Sequence, residues 1–300
     1  MSMLALRSML FTPGHRRELI EKAIRSGTDA VIVDLEDAVA LEAKASARSD
    51  LASLPPSAVP IYVRTNGPET EFVWDDVVAA GAAGVAGIVL PKAEDPDFVG
   101  QVDGALTAME ISRGHEVGSI GIVPLIESGL GVRNTYDLAR ASKRVECVMF
   151  GGGEQGDLVA DLGVEWTPEG TGLLHARSEV LLASRAAGIE HPMEAVFMDF
   201  RNLDAMRVEC ELARRLGYVG KVAIHPAQIA VIHDVFTPPA DVVAYQRKIL
   251  AAFEEALAAG SASIGVDGRM VDYAVARVAR TIIARAEAAE RAEARSQESK

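Results

Sequence analysis

Thiols are almost missing from this chain: Cys147 and Cys210 are the two it has. Their separation offers neither a disulfide framework nor a Cys/His metal spacing. Their apolar surroundings mark both as buried structural thiols. Long apolar runs are missing too, and no stretch is long enough to span a bilayer. The start, 1–11, places Arg7 in a short apolar stretch and runs into a Pro-Gly turn without a small-residue cleavage site, which argues against a signal peptide. A soluble cytoplasmic protein is expected. Net positive charge is also lacking. Lys and Arg number 30 against 43 Asp and Glu, a formal charge of −13. That balance argues against nucleic acid or an anionic membrane as a general partner. Local basic groups can still line a site for an anionic substrate. There is no internal repeat, no long low-complexity segment and no G-x-S-x-G elbow of a hydrolytic triad.

What remains is a chain of 300 residues, 49% hydrophobic and 24% charged, enough for one large core and typical of an ordered globular protein. Short runs rich in Val and Ile recur: Ser8-Met-Leu-Phe11, Ala30-Val-Ile-Val-Asp34, Ile61-Tyr-Val-Arg64, Gly87-Ile-Val-Leu90, Ile120-Gly-Ile-Val-Pro-Leu-Ile126, Val145-Glu-Cys-Val-Met-Phe150, Ala195-Val-Phe-Met198 and Lys221-Val-Ala-Ile224. They are near-continuous rather than alternating, as parallel strands buried on both faces are. Helical patterns lie between them, for example 16–26, 42–54 and 203–216. About eight strand–helix units predict an α/β fold of the (β/α)8 TIM-barrel type over 1–238. The rival is a doubly wound open sheet, but Gly151-Gly-Gly153 does not complete a dinucleotide fingerprint. After Pro238-Pro239 two helices, roughly 241–259 and 271–292, flank a Gly/Ser linker at 260–265. The segment 239–300 reads as a helical C-terminal extension too short for its own core, with a frayed, solvated end from Glu287.

In a barrel, chemistry collects where strands end. Those points carry Thr12-Pro-Gly-His-Arg-Arg17, Asp34-Leu-Glu-Asp37, Arg64-Thr-Asn66, Pro91-Lys92, Glu127-Ser128, Gly151-Gly-Gly-Glu-Gln-Gly-Asp157, Asp199 and His225-Pro226. Several carboxylates without a His/Cys cluster favour a hard cation with oxygen ligands, and Mg²⁺ commonly takes one or two carboxylates. Glu127 and Asp157 are the candidate ligands. The less favoured alternatives are that Glu127 faces a helix N-terminus and that Asp157 caps the helix starting at Leu158. Arg64 suits bidentate binding of a carboxylate or carbonyl, or an ion pair with Glu36 or Asp37. Asp34, Glu36 and Asp37 are as well suited to support or capping as to catalysis. Lys92 is placed for a Schiff base, but a salt bridge into the acidic rim is preferred. His225 reads as hydrogen-bonded structure before an acid/base group. His15, Arg16 and Arg17 open a helix where phosphates of a nucleotide-like carrier would fit, unless they form a solvated face.

Eight segments then occur in order: Arg7-Ser-Met-Leu-Phe-Thr-Pro-Gly14, Val33-Asp-Leu-Glu-Asp-Ala-Val39, Tyr62-Val-Arg-Thr-Asn66, Leu90-Pro-Lys92, Pro124-Leu-Ile-Glu-Ser128, Asp157-Leu-Val-Ala-Asp-Leu-Gly163, Ala223-Ile-His-Pro-Ala-Gln228 and Asp267-Gly-Arg-Met-Val-Asp272. Together, from Arg7 to about Arg285, they resemble the citrate lyase beta-subunit-like proteins, a group that includes malyl-CoA and citramalyl-CoA lyases. The resemblance implies a TIM barrel whose helical extension covers a neighbouring subunit's site, in a homotrimer or hexamer. It implies Mg²⁺ (with Mn²⁺ as a substitute) at the acids matching Glu127 and Asp157, and Arg64 on the ketoacid or enolate oxygen. It also implies Asp272 as a catalytic base supplied in trans. One departure stands out. The family's turn before the second ligand is commonly shorter, Gly-Ala-Glu-Asp, so Glu154 and Asp157 compete for that position. Asp157 keeps register with Leu158-Val-Ala-Asp-Leu-Gly163.

The expected reaction is reversible cleavage of a 3-hydroxyacyl-CoA thioester into an acyl-CoA and a small 2-oxoacid. The alternatives are a malyl-CoA thioesterase, a citrate lyase beta subunit acting on an acyl-carrier thioester, a class II pyruvate aldolase, whose metal-binding histidines are not evident, and a non-catalytic barrel protein.

Overall fold

A computed structural model describes residues 6–298. Residues 1–5 of the segment weighed as a signal peptide, 1–11, lie outside them, as do the last two residues of the extension. Eight parallel strands close into a barrel in sequence order, β1 pairing with both β2 and β8. They are β1 (Ser8–Pro13), β2 (Ala30–Asp34), β3 (Ile61–Arg64), β4 (Gly87–Leu90), β5 (Gly121–Ile126), β6 (Met149–Phe150), β7 (Met193–Glu194) and β8 (Gly220–Ala223).

Both faces of these strands are buried, which explains the near-continuous apolar runs. One parity fills the barrel: Met9, Ala30, Ile32, Tyr62, Val89, Val123 and Leu125 form an inner cluster. The other parity, including Leu10, Val31, Val33, Val63 and Ile88, packs outward in the main core beneath the helices. This alternation positions the site. Continuing the inward series by two residues reaches Asp34, Arg64 and Glu127 at the C-terminal mouth. The register sets Asp34 directly beside Arg64.

The surrounding helices are α1 (Arg17–Ile24), α2 (Lys44–Asp50), α3 (Val73–Ala83), α4 (Pro96–Arg113), α5 (Gly129–Arg140), α6 (Asp157–Leu162), α7 (Leu174–Ala186), α8 (Leu203–Leu216) and α9 (Ile229–Phe236). Two buried charge clusters tie this outer layer to the strands. Arg144, before β6, holds Glu110 of α4 at 2.6 Å. Arg177 of α7 holds Glu194 of β7 at 2.9 Å, and Lys221 of β8 holds Glu209 of α8 at 2.7 Å. Both thiols are free and buried as expected, and burial pushes Cys210 up to about 12.

Three expectations are corrected. The predicted strands 145–150 and 195–198 are shorter or displaced: β6 keeps two residues, with an isolated bridge from Ile122 to Val145, and β7 falls at Met193–Glu194. The glycine turn after β6 crosses here. A Cβ on Gly153 would sit 3.0 Å from Val196, so 195–198 forms cavity wall rather than ladder.

The extension has a small core of its own. It comprises α10 (Ala240–Ala258), a hairpin of β9 (Ile264–Val266) and β10 (Arg269–Val271) where a linker was expected, and α11 (Tyr273–Glu298). Ile249, Phe253, Val266, Val271, Ala276 and Ala279 cluster between them.

The end of α11 is not a solvated fray. Ala286, Ala288, Ala289, Ala292 and Ser296 are buried. Glu293 pairs with Arg7 at 2.8 Å just ahead of β1, so this half of α11 closes the N-terminal end of the barrel. Alanine lets the helix axis approach closely without any large apolar residue to announce the contact.

Candidate active site

Inward parity brings Arg64, Asp34 and Glu127 to one cavity of about 590 Å³ at the C-terminal mouth, also lined by Asp37, Glu154 and Asp157. Arg64 Nε and Nη2 donate to the two oxygens of Asp34, both at 2.7 Å. Its Nη1 lies 2.9 Å from Glu36 and 3.3 Å from Asp37, and its guanidinium lies over the Phe11 ring at 4.7 Å. The ion-pair alternative is therefore realised, with Asp34 as the main partner, while Arg64 still lines the cavity.

Glu127 ends β5 one residue before Ser128, whose side chain caps α5 by accepting from Gly131 N at 3.0 Å. The cap of α5 is thus Ser128, and Glu127 is free to face the cavity. Burial pushes the Glu127 carboxyl up to about 7, with the Arg64 charge opposing and Glu36 adding. Its Oε2 accepts the backbone N–H of Lys92 at 3.1 Å. Lys92 has φ 49°, a left-handed conformation that turns this amide toward the carboxylate. Gly151 completes the fit: a Cβ there would lie 2.5 Å from Glu127 Cγ and 2.7 Å from Ile126 O.

Asp157 is the first residue of α6, and Gly156 takes the cap position without a side-chain bond. Its alternative role as an N-cap is not what the chain uses. Asp161, one turn on, accepts from Gly129 N at 2.7 Å, which locks α6 onto the start of α5 and so fixes Asp157 relative to Glu127. The Lys92 ammonium lies 3.2 Å from Glu36, 3.6 Å from Asp157 and 3.8 Å from Glu69. Burial pulls its pKa down, but these acids outweigh burial and leave it above the usual lysine range. A lysine held so firmly protonated is a poor Schiff-base nucleophile, and the salt-bridge reading stands. Burial likewise pushes Glu36 up to about 7 against the pull of Arg64.

The donor set fits a hard divalent cation. Two carboxylates from adjacent strand ends share the cavity wall, and Glu127 Oε1 has no protein donor among the described residues. Among those residues no cluster of three or more His, Cys, Asp or Glu is arranged to hold a metal; a cation here would take two carboxylates and fill its other positions from substrate and water.

Other candidates lie apart. His15, Arg16 and Arg17 are exposed and line no part of this cavity; Arg16 pairs with Glu18 at 2.5 Å and Arg17 with Glu21 at 3.3 Å. His225 caps the turn after β8, accepting from Ala227 N at 3.1 Å, and stacks on Phe200 at 4.7 Å. Asp272 caps α11 through Ala274 N and Val275 N, at 2.9 and 3.1 Å, and is outside the cavity of its own chain. Sequence reasoning missed the Lys92 amide and Asp161. The first is a backbone group with no side-chain signal, and the second was visible only as part of a motif.

A closed barrel with its ionisable groups gathered at the strand ends defines a barrel enzyme, here a carbon–carbon lyase. The family model HpcH/HpaI aldolase/citrate lyase matches residues 7–226, and the chain belongs to that family. It is 35% identical over 293 residues to citrate lyase subunit beta of Haemophilus influenzae, covering 96% of this chain and 99% of the relative. It is 34% identical over 304 residues to L-malyl-CoA/beta-methylmalyl-CoA lyase of Rhodobacter capsulatus, covering 94% and 95%. Among solved structures, protein CitE from Mycobacterium tuberculosis in complex with magnesium, acetoacetate and coenzyme A superposes with a TM-score of 0.74 at 29% identity, over 94% of this chain and 98% of that one.

Proposed function

We propose that this chain is a Mg²⁺-dependent lyase that cleaves, or in reverse forms, a 3-hydroxyacyl-CoA such as malyl-CoA or citramalyl-CoA, giving an acyl-CoA and a 2-oxoacid. The convergence of Glu127, Asp157 and Arg64 on one cavity supports it above all. Relatives whose names state malyl-CoA and beta-methylmalyl-CoA, and a neighbour holding magnesium and coenzyme A, point the same way.

Glu127 and Asp157 would hold the cation, which supplies Lewis-acid stabilisation of the oxygen on which charge develops. Arg64, clamped by Asp34, presents a fixed positive charge to the 2-oxoacid end of the substrate. Cleavage passes the 3-hydroxyl proton to solvent water; the pair of the broken O–H bond forms the ketone, and the carbon–carbon pair passes to the thioester as an enolate. Asp272 of a neighbouring subunit would protonate the enolate carbon, or take that proton in the synthetic direction. The extension, 239–300, would then serve as a lid on the neighbour's barrel 1–238, in a trimer or hexamer. His15, Arg16 and Arg17 would meet the phosphates of the carrier only outside the cavity, with Arg16 and Arg17 giving up Glu18 and Glu21 to do so. Cytoplasmic location belongs to the same reading, supported by two free buried thiols.

The test is a panel of malyl-, methylmalyl- and citramalyl-CoA with Mg²⁺, scored separately for 2-oxoacid and for free thiol. Release of 2-oxoacid without free thiol is expected. Thiol release without 2-oxoacid would instead define a thioesterase. The second reading, a citrate lyase beta subunit acting on an acyl-carrier thioester, is favoured by the 35% identity to one such subunit; turnover of a carrier-bound substrate but none of the CoA panel would establish it. Glu127→Gln and Asp157→Asn should each weaken Mg²⁺ binding by at least about 10-fold in calorimetry. Unchanged affinity in Asp157→Asn would shift the second ligand to Glu154.

A further inference from the structure

The turn after β2 folds around its own first side chain. Asp34 accepts four N–H groups: Nε and Nη2 of Arg64, both at 2.7 Å, and the backbone amides of Glu36 and Ala38, both at 3.0 Å. With these amides spent on one carboxylate, the carbonyls of Leu35 and Glu36 need donors of their own, because both residues are buried.

Both carbonyls share one donor. Lys44, the first residue of α2, donates from its ammonium to Leu35 O and to Glu36 O, each at 3.0 Å. Its third N–H goes to Asn66 Oδ1 at 2.5 Å. Lys44 is half-buried and has no ion pair among the described residues. In a chain with 43 acids, all three of its protons are given to neutral acceptors, which a solvated surface lysine has no reason to do.

The Asn66 carboxamide cannot turn away. Its Nδ2 and its backbone N–H both donate to Asp76 Oδ2 of α3, at 2.6 and 2.8 Å, and Arg48 Nε of α2 donates to Asp76 Oδ1 at 2.7 Å. The amide nitrogen is committed to Asp76, which leaves the oxygen for Lys44. One ammonium therefore ties the β2 turn, which carries the clamp Asp34, to the β3 turn, which starts from the clamped Arg64.

We propose that Lys44 is a positioning residue for Arg64. It lines no part of the catalytic cavity and acts through the two turns. With the turns fastened together, Asp34 presents the guanidinium to the 2-oxoacid in one orientation. Without the ammonium, the buried Leu35 carbonyl loses its donor, the turn relaxes, and the guanidinium loses its fixed aim. A displacement of about 1 Å in such a group is enough to cost up to roughly 100-fold in rate. The inference rests on the 2-oxoacid role given to Arg64 above. It does not extend to Glu127 and Asp157, which other contacts fix: the Lys92 amide for Glu127, and the bond from Gly129 N to Asp161 for α6.

The experiment titrates folded protein by calorimetry, first with Mg²⁺, then with pyruvate or glyoxylate at saturating Mg²⁺, in the wild type, Lys44→Met and Lys44→Gln. Lys44→Met should bind the 2-oxoacid at least about 10-fold more weakly. Its Mg²⁺ affinity should stay within about 2-fold of the wild type, as for an independent site. Lys44→Gln can keep one N–H on a carbonyl; it should fall between the two, and it carries the test if Lys44→Met does not fold. Hydrogen exchange should quicken at the amides of Glu36 and Ala38. A merely structural lysine would lower the thermal midpoint and leave the 2-oxoacid affinity of the folded protein as it was. The proposal is overturned if the folded variants keep the wild-type 2-oxoacid affinity. It is overturned equally if Mg²⁺ affinity falls in the same proportion, which would make Lys44 a general support of the mouth. If the wild type itself binds neither 2-oxoacid, the role of Arg64 falls and this one with it; wild-type binding with unaltered variants removes the role of Lys44 alone.

Discussion

Glu110 and Arg144 lie outside the catalytic cavity, and their side chains are 1% and 4% exposed. Burial alone would raise the Glu110 carboxyl. Arg144 and the N–H groups of Gly118 and Ile120 more than reverse that and bring it down to about 2. The sign follows directly. A carboxyl whose folded value lies below its unfolded value of 4.5 binds fewer protons when folded. Its stabilisation is complete above about pH 4.5 and is lost as the pH falls toward 2. The amount is on the order of 3 kcal/mol. Glu110→Gln should lower stability at pH 7 and flatten the acid limb of a urea-midpoint profile between pH 4.5 and 2; an unaltered limb would place the acid sensitivity elsewhere. Glu127 and Glu36 shift the other way, both up to about 7. The same residue type thus serves two ends: Glu110 is anchored by donors, and Glu127 is kept short of donors and open to the cavity. The type and position of Glu127, Arg64 and Asp157 were readable from strand ends. The shortage of donors around Glu127 was not, because it depends on the left-handed turn at Lys92 and on the missing Cβ of Gly151.

Among the elements, β2, β3 and β4 match their predicted spans, since burial on both faces makes each run near-continuously apolar until the mouth-facing Asp34 and Arg64 close the first two. β6 and β7 are two residues each, and a two-residue strand carries no periodicity. The hairpin β9–β10 was hidden by Gly and Ser, which also build linkers. The helix α8 matched its predicted span because Asn202 caps it by accepting from Ala205 N at 3.2 Å. The helix α4 carries an avoidable cost. Gly100 and Gly104 are exposed within it, and a Cβ on either would meet nothing within 4 Å. Gly100→Ala and Gly104→Ala should each add about 0.4–1 kcal/mol in denaturant unfolding by restricting the unfolded chain. Gly151→Ala, which would crowd Ile126 O, is expected to be destabilising in the same assay.

At the scale of the molecule, the catalytic mouth and the extension sit at different places on one chain, and Asp272 does not reach its own cavity. The proposed sharing of sites between copies makes a sharp prediction. Asp272→Asn and Glu127→Gln should each lose at least about 100-fold in turnover. Coexpressed, they should recover up to about a quarter of wild-type activity, because random assembly puts an intact mouth under an intact lid about that often. No recovery would place Asp272 within its own chain's site or outside catalysis. The barrel was legible from repetition, whereas the role expected of Asp272 came only through the family resemblance, since nothing in its own surroundings marks it as more than a helix cap.

The contact between Arg7 and Glu293 has a consequence in time. Arg7 meets Asp29 across 22 residues but Glu293 across 286. The first partner is available once the second strand has been synthesised. The second arrives only after all eight strands exist. Closing so long a loop is entropically expensive unless the intervening chain is already compact. Docking of α11 at the N-terminal end therefore gains from a barrel that is already compact. Until residue 293 has been synthesised, the half of Arg7 that will hold Glu293 has only water and Thr237 to pair with.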